Sequence, residues 1–167
     1  MAKKPTRLKI MEKYLRLLNP KSINYEADRI DGVIPSLMAQ DILLAMSFAK
    51  LSSLQDVLIR LKYFGANTQA NVNAFARILA SKYEKQLSDA GVSHVYHESI
   101  ALIALTEFCL VPASYKPTER GRAAICGFSD TTVRNHMKRH VHLVLDDLNE
   151  ELAMGEDKIF IQISKSK

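Results

Sequence analysis

The feature that most constrains this chain is the spacing of its apolar residues, which recur three and four positions apart along almost the whole sequence. That period places them on one face of an α-helix, and Gly, Asn or Pro stands where each run stops. The first such run comprises Leu8, Met11, Leu15 and Leu18. Alternation typical of a strand is confined to Ile159, Ile161 and Ile163. We therefore predict an all-α fold, with a C-terminal tail interpreted as a lone strand.

Helix start and stop signals divide the middle of the chain into four helices. Gly65 and Gly91 are suited to the left-handed conformation that follows a helix end. Starts are predicted at Pro35, at Ser53 with Asp56 as its capping-box partner, near Thr68 and near Ser93.

Composition indicates a soluble globular protein. Of the 167 residues, 47% are apolar and 25% are charged, which argues against a disordered or collagen-like chain. No apolar run approaches the ~20 residues of a membrane span, so we expect no membrane partner. The two cysteines, Cys109 and Cys126, fit a reducing compartment better than a disulfide framework. The expected location is the cytoplasm.

The distribution of charge says more than the net charge of +5. Residues 1–30 carry +5 and residues 113–145 carry +4, whereas residues 31–112 carry −1 and residues 146–167 carry −3. Two basic segments are thus separated by a nearly neutral body, and the chain has an acidic end. Such basic segments are compatible with nucleic acid, although many other proteins also carry them.

The second basic segment has the pattern of a helix-turn-helix. Pro117 or Thr118 can open a short helix, and Gly127 supplies positive φ in the turn that follows. Ser129 can cap the next helix through the backbone N–H of residue 131 or 132. Ala123 and Val133 stand where the two helices would cross and pack. Behind the basic face runs an apolar stripe of Val133, Met137, Val141, Val144, Leu148 and Leu152.

A DNA-binding helix-turn-helix would assign distinct roles to the polar residues of this segment. The first turns of the second helix enter the major groove, so base edges would be read by Asp130, Thr131, Arg134, Asn135 and Lys138. Phosphates would be held by Lys116, Thr118, Arg120, Arg122 and Arg139. Asp130 could equally serve only the helix dipole. A plain helical hairpin with a solvated basic rim is the alternative interpretation.

Two stretches of the sequence resemble known transcription proteins. The run Ser129-Asp-Thr-Thr-Val-Arg-Asn-His-Met resembles the recognition helix in the fourth conserved region of bacterial sigma factors and in quorum-sensing regulators. Leu105-Thr-Glu-Phe-Cys-Leu and Pro117-Thr-Glu-Arg-Gly-Arg-Ala-Ala-Ile-Cys-Gly-Phe are similar to the C-terminal part of lambdoid-phage late-gene antitermination proteins of the Q class.

The Q-class resemblance implies a factor that acts in a bacterial host cell. Such a factor binds a DNA element near a late promoter, engages paused RNA polymerase with its sigma factor, and suppresses pausing and termination. Some Q-class proteins carry a zinc-binding cysteine cluster that this chain lacks, so kinship would be with a zinc-free type. Contact with nascent RNA is left open.

Patterns for catalysis and metal binding are weak. His94 and His97, and likewise His136 and His140, have spacings that two ligands could use, but the cysteines lack the CxxC spacing of structural zinc sites. No Gly-rich phosphate loop and no activated nucleophile are recognisable. We therefore predict no enzymatic activity, no metal and no cofactor.

The predicted organisation is a helical body over residues 1–112, a helix-turn-helix over 113–155 and a tail over 156–167. The basic N-terminal helix could lie on nucleic acid, pack on the body or enter a partner groove. The predicted function is sequence-specific binding of double-stranded DNA by an antitermination factor. Alternatives are a conventional dimeric repressor or activator, and a helical protein-interaction module without DNA binding.

Overall fold

The computed structural model describes residues 39–112 and 114–165, and every element in those two ranges is helical. No strand occurs in these ranges, and the all-α prediction is confirmed for them. The predicted N-terminal helix and the predicted helix start at Pro35 lie outside the described residues. None of the described helices is both long enough and apolar enough to cross a membrane.

The chain forms two compact units and passes from one to the other twice, after residue 66 and, within the last helix, after residue 150. Among the described residues, unit one comprises residues 39–66 and 151–165, and unit two comprises residues 67–112 and 114–150. The predicted boundaries at residues 112 and 155 do not coincide with these units. The candidate helix-turn-helix shares unit two with the helices that precede it.

Unit one contains helices α1 (Ala39–Phe48) and α2 (Ser53–Tyr63). Ser52 caps α2: its hydroxyl accepts from the Gln55 N–H, and the Gln55 side chain accepts from the Ser52 N–H, each at 3.1 Å. The capping box therefore lies one residue before the predicted Ser53 and Asp56. The Gln55 amide also donates to Glu151 at 2.9 Å, and Tyr63 donates to Glu156 at 2.5 Å. The fully buried side chains of this unit include Ile42, Leu58, Ile59 and Ile159.

Unit two begins with α3 (Gln69–Asp89), which starts near Thr68 as predicted; the Thr68 hydroxyl caps it by accepting from the Asn71 N–H. A 3₁₀ turn (His94–Tyr96) leads into α4 (His97–Cys109). Helices α3 and α4 pack along each other, and α4 also packs on α5 (Glu119–Cys126). The remaining elements are α6 (Asp130–Thr132), a π turn (Val133–Met137) and α7 (Lys138–Lys165), whose residues up to Glu150 belong to this unit. Its buried core includes Val72, Leu79, Ile100, Ile103 and Leu105.

The predicted C-terminal strand is wrong, because residues 159–163 belong to α7. Ile159 and Ile163 are buried and Ile161 is 45% exposed. Residues four apart share a helix face, whereas a residue two positions away points to the other side. A short alternation of three apolar residues therefore fits a half-buried helix as well as a strand.

Candidate nucleic-acid interface

The turn between α5 and α6 has the local geometry that the sequence predicts. Gly127 adopts a φ of 74°, and its N–H donates to the Ala123 carbonyl at 2.8 Å. The Ser129 hydroxyl accepts from the Thr132 N–H at 3.2 Å and so caps the second helix. Ala123 and Val133 are both buried. The short first helix, the glycine turn and the capped second helix thus form one tightly connected unit.

The apolar stripe behind this turn is buried along its whole length. None of its six side chains is more than 4% exposed: Val133, Met137, Val141, Val144, Leu148 and Leu152. The stripe therefore anchors the second helix in the protein and leaves the other faces of that helix to solvent.

A π turn at Val133–Met137 explains how the first members of the stripe stay in line. In a regular α-helix, residues four apart drift by about 40° around the axis. The Lys138 N–H instead donates to the carbonyl of Val133, which adds one residue to that turn. Val133, Met137 and Val141, each four apart, are consequently all 0% exposed. The spacing of apolar residues gives no separate signal for this turn.

The residues predicted to read base edges all lie on the exposed surface of the second helix: Asp130, Thr131, Arg134, Asn135 and Lys138. The structure brings two of them together. Arg134 Nε donates to Glu119 Oε2 at 2.9 Å, and Lys138 Nζ donates to Glu119 Oε1 at 3.1 Å. One carboxylate from the first turn of α5 therefore holds two cations of the following helix.

Glu119 is a residue of this surface that the sequence analysis did not single out. Its pKa lies below the ordinary value, chiefly because Lys138 donates a hydrogen bond to the carboxylate and because Arg134 does so as well. An acidic residue in the first turn of a helix is common for helix-dipole reasons alone. Its pairing with residues 15 and 19 positions later depends on the turn geometry and is not visible in the sequence.

Four of the five residues predicted to hold phosphates are exposed: Lys116, Thr118, Arg120 and Arg139. Thr118 also caps α5, because its hydroxyl accepts from the Gly121 N–H at 3.0 Å. Its hydroxyl hydrogen can still be donated to an anion.

Arg122 is wrongly predicted as a phosphate contact. Its guanidinium is buried and binds Glu107 at two points, with Nε at 2.7 Å from Oε1 and Nη2 at 3.0 Å from Oε2. Arg122 Nη2 also lies 3.2 Å from His142 Nε2, which places the acceptor lone pair of the imidazole on that nitrogen. A cation so enclosed is part of the interior of unit two and not of its exposed surface.

Tyr115 completes this buried cluster. Its hydroxyl donates to Glu107 Oε1 at 2.7 Å. Burial raises the pKa of the Tyr115 phenol, and the hydrogen bond to the neighbouring carboxylate raises it further. The segment between α4 and α5 is thereby fixed against both helices by side chains from each.

An aromatic cluster supports the turn from the other side. The Tyr96 ring meets Phe128 edge to face at a centroid distance of 5.2 Å and stacks on His136 at 5.8 Å. Phe128 belongs to the turn itself, so the 3₁₀ turn before α4 buttresses it. Nothing in the spacing of these three residues reveals the cluster.

The histidines and cysteines of the described ranges show no arrangement for binding metal. Between residues 39 and 165, residue 113 excepted, no three His, Cys, Asp or Glu side chains come together as metal ligands. Cys109 is buried and Cys126 is half-buried. Burial, followed by the charge of Arg139, lowers the pKa of His140.

The chain matches no protein-family model, no curated protein and no solved structure at a significant level.

Proposed function

We propose that the chain binds duplex DNA through the exposed face of residues 130–139. The observation that supports this is the division of one short helical stretch into two opposite faces. Val133 and Met137 are fully buried, whereas Arg134, Asn135 and Lys138 are exposed directly after a glycine turn. A helix held in this way can enter the major groove by its N-terminal turns.

The exposed side chains supply the chemistry of base recognition. Arginine pairs with guanine through two hydrogen bonds, and asparagine pairs with adenine in the same way. Arg134 and Asn135 are adjacent, so neighbouring base pairs lie within the reach of one helical turn. Asp130 and Thr131 stand one turn earlier and can contact cytosine N4 or a thymine methyl group.

Lys116, Arg120 and Arg139 add exposed positive charge to the same unit, and the exposed Thr118 hydroxyl adds a neutral donor. Contacts of this kind fix the register of a protein on DNA without reading sequence. Release of counterions by three cations predicts a salt slope of about −2.7 in a plot of log affinity against log salt.

The role that follows from the Q-class resemblance is antitermination in the cytoplasm of a bacterial host. In this proposal, the DNA contact tethers the protein near a late promoter, and another surface engages paused RNA polymerase with its sigma factor. The activity is binding, with no covalent step.

Binding to a randomised duplex library tests the DNA-binding part. We expect enrichment of a defined sequence and an affinity that falls steeply with salt. A protein that enriches no sequence and shows no salt dependence would refute the proposal. A symmetric footprint occupied by a dimer would instead support a conventional repressor or activator.

Transcription in vitro tests the antitermination part. The template carries the enriched DNA sequence beside a promoter and an intrinsic terminator downstream. We expect readthrough that disappears when the DNA sequence is scrambled. Unchanged termination on both templates, with the protein bound to its site, would remove this role and leave DNA binding intact.

A further inference from the structure

The Glu119 carboxylate places a negative charge within the surface that is proposed to bind DNA, although DNA is itself negatively charged. It accepts from Arg134 at 2.9 Å and from Lys138 at 3.1 Å, and these are two of the residues proposed to contact DNA. All three side chains remain accessible, at 30% for Glu119, 57% for Arg134 and 48% for Lys138. The three groups together carry one positive charge in place of two.

The pairing leaves part of the arginine available. Glu119 engages Arg134 through Nε alone, and within residues 39–112 and 114–165 the two Nη groups have no hydrogen-bond acceptor. The planar guanidinium presents its donors in a rigid fork, so anchoring Nε fixes the plane in which the Nη pair lies. An Nη pair held in this way can still bond to guanine O6 and N7.

We propose that Glu119 is a specificity-determining residue of this surface. It positions Arg134 for base recognition and weakens attraction to DNA of arbitrary sequence. The inference rests on the proposed DNA binding and adds to it a residue that favours one sequence over others.

Two physical effects act in the same direction. On arbitrary sequence, affinity comes from cations that replace counterions at phosphates, and a carboxylate between two such cations repels the phosphates. On the preferred sequence, an arginine that is already oriented loses less side-chain freedom when it binds. Glu119 thus lowers affinity for wrong sequences while supporting the right one, which is how specificity arises as a difference of affinities.

The test replaces Glu119 by Gln and uses Glu98→Gln as the matched control. Glu98 also pairs with an exposed arginine on another helix of unit two, with Arg77 Nε at 3.3 Å from Oε1. Both variants remove one negative charge from an exposed ion pair; Glu98→Gln breaks one such pair and Glu119→Gln breaks two. Thr118, and not Glu119, provides the capping hydroxyl of α5, so the helix keeps its start in the variant.

The probes are a randomised duplex library and the duplex that the wild-type protein enriches from it. For Glu119→Gln we expect a salt slope on the randomised duplex that is steeper by about one unit. We also expect sequence preference at one base pair to fall about tenfold, the size of one bidentate contact. The control should leave the salt slope unchanged and should change the sequence preference by no more than about twofold.

A double-mutant cycle with Arg134→Ala tests whether Glu119 acts through the arginine. In the Arg134→Ala background, Glu119→Gln should no longer change the sequence preference, because no guanidinium remains to be oriented. Glu119→Asp provides a second variant, since it keeps the charge and shortens the reach. We expect it to reduce sequence preference without changing the salt slope.

The outcomes separate this inference from the proposed function. If the wild-type protein neither selects a sequence nor responds to salt, DNA binding itself fails. If the wild-type protein selects a sequence and Glu119→Gln selects it equally well with the same slope, only the role of Glu119 fails. If Glu119→Gln reduces the sequence preference equally with and without Arg134, Glu119 acts independently of the arginine, either on a base or through Lys138, and the positioning of Arg134 is overturned.

Discussion

Arg122 and Glu107 form a two-point ion pair inside unit two, with side chains that are only 4% and 6% exposed. Removing the arginine would leave a carboxylate buried with Tyr115 as its hydrogen-bond partner. Loss of one partner of a buried ion pair is strongly destabilising because the remaining charge is uncompensated.

We therefore expect Arg122→Met to lower the free energy of unfolding by about 3–5 kcal/mol, measured by urea denaturation. Arg120→Ala is the control, since Arg120 is an exposed neighbour on the same helix. It should change the free energy of unfolding by no more than about 0.5 kcal/mol. Equal effects of the two variants would contradict the structural role assigned to Arg122.

Tyr115 makes the stability of unit two sensitive to alkaline pH. Its pKa is raised in the folded protein, chiefly by burial, so folding favours the neutral phenol. That contribution is fully present below about pH 10, the unfolded value, and is lost as pH rises toward the higher folded pKa. Tyr115→Phe should thus lose less stability than the wild-type protein between about pH 9 and pH 11 in urea denaturation. Parallel curves for the two proteins would contradict the prediction.

Arg134 and Arg120 should affect DNA binding in different ways. Arg134→Ala is expected to relax the sequence preference at one base pair and to reduce the binding free energy for the enriched duplex by about 1–3 kcal/mol. Arg120→Ala is expected to weaken binding to all DNA sequences equally and to reduce the salt slope by about one unit. Fluorescence anisotropy on the enriched duplex and on a scrambled one measures both effects. Identical behaviour of the two variants would argue against separate base-reading and phosphate-binding roles.

Two glycines at the ends of α5 are expected to respond differently to alanine. A Cβ at Gly121 would collide with the carbonyl oxygen of Lys116, whereas a Cβ at Gly127 meets nothing within 4 Å. We therefore expect Gly127→Ala to lower the free energy of unfolding by about 1–2 kcal/mol, because a residue with a Cβ is strained in the left-handed backbone conformation. Gly91 has a φ of 76° and equally open surroundings, so Gly91→Ala should lower the free energy of unfolding by a similar amount.

Gly121→Ala is destabilising for a different reason. The new methyl group would collide with the Lys116 carbonyl, and this backbone group cannot move aside as a flexible side chain would. We expect overpacking to lower the free energy of unfolding by about 1–3 kcal/mol and to reduce the order of the segment between α4 and α5. Hydrogen exchange of the amides that follow Lys116 reports that order. Normal protection there, with wild-type stability, would mean that the segment accommodates the methyl group.

Features set by neighbouring residues were predictable from the sequence. The left-handed Gly127, the Thr118 and Ser129 caps and the buried Val133 each depend on a few adjacent positions. Helical periodicity and capping chemistry encode such features directly.

Features set by distant partners were not predictable in the same way. Arg122 and Arg120 look alike in the sequence, and only the position of Glu107 on α4 makes one of them internal. Glu119 offers a similar lesson, because its two partners lie beyond the turn. A charge pattern gives the number of cations in a segment, but burial and pairing decide how many of them face solvent.

The π turn at Val133–Met137 divides the proposed DNA-binding helix into two helical phases. One additional residue corresponds to a rotation of about 100° when the same sequence is forced into a regular α-helix. A graft of residues 130–139 onto an ordinary helical scaffold would therefore bring Thr131 and Lys138 to within about 20° of each other around the axis, instead of about 120° apart. Transplanting this surface requires the widened turn as well as the side chains.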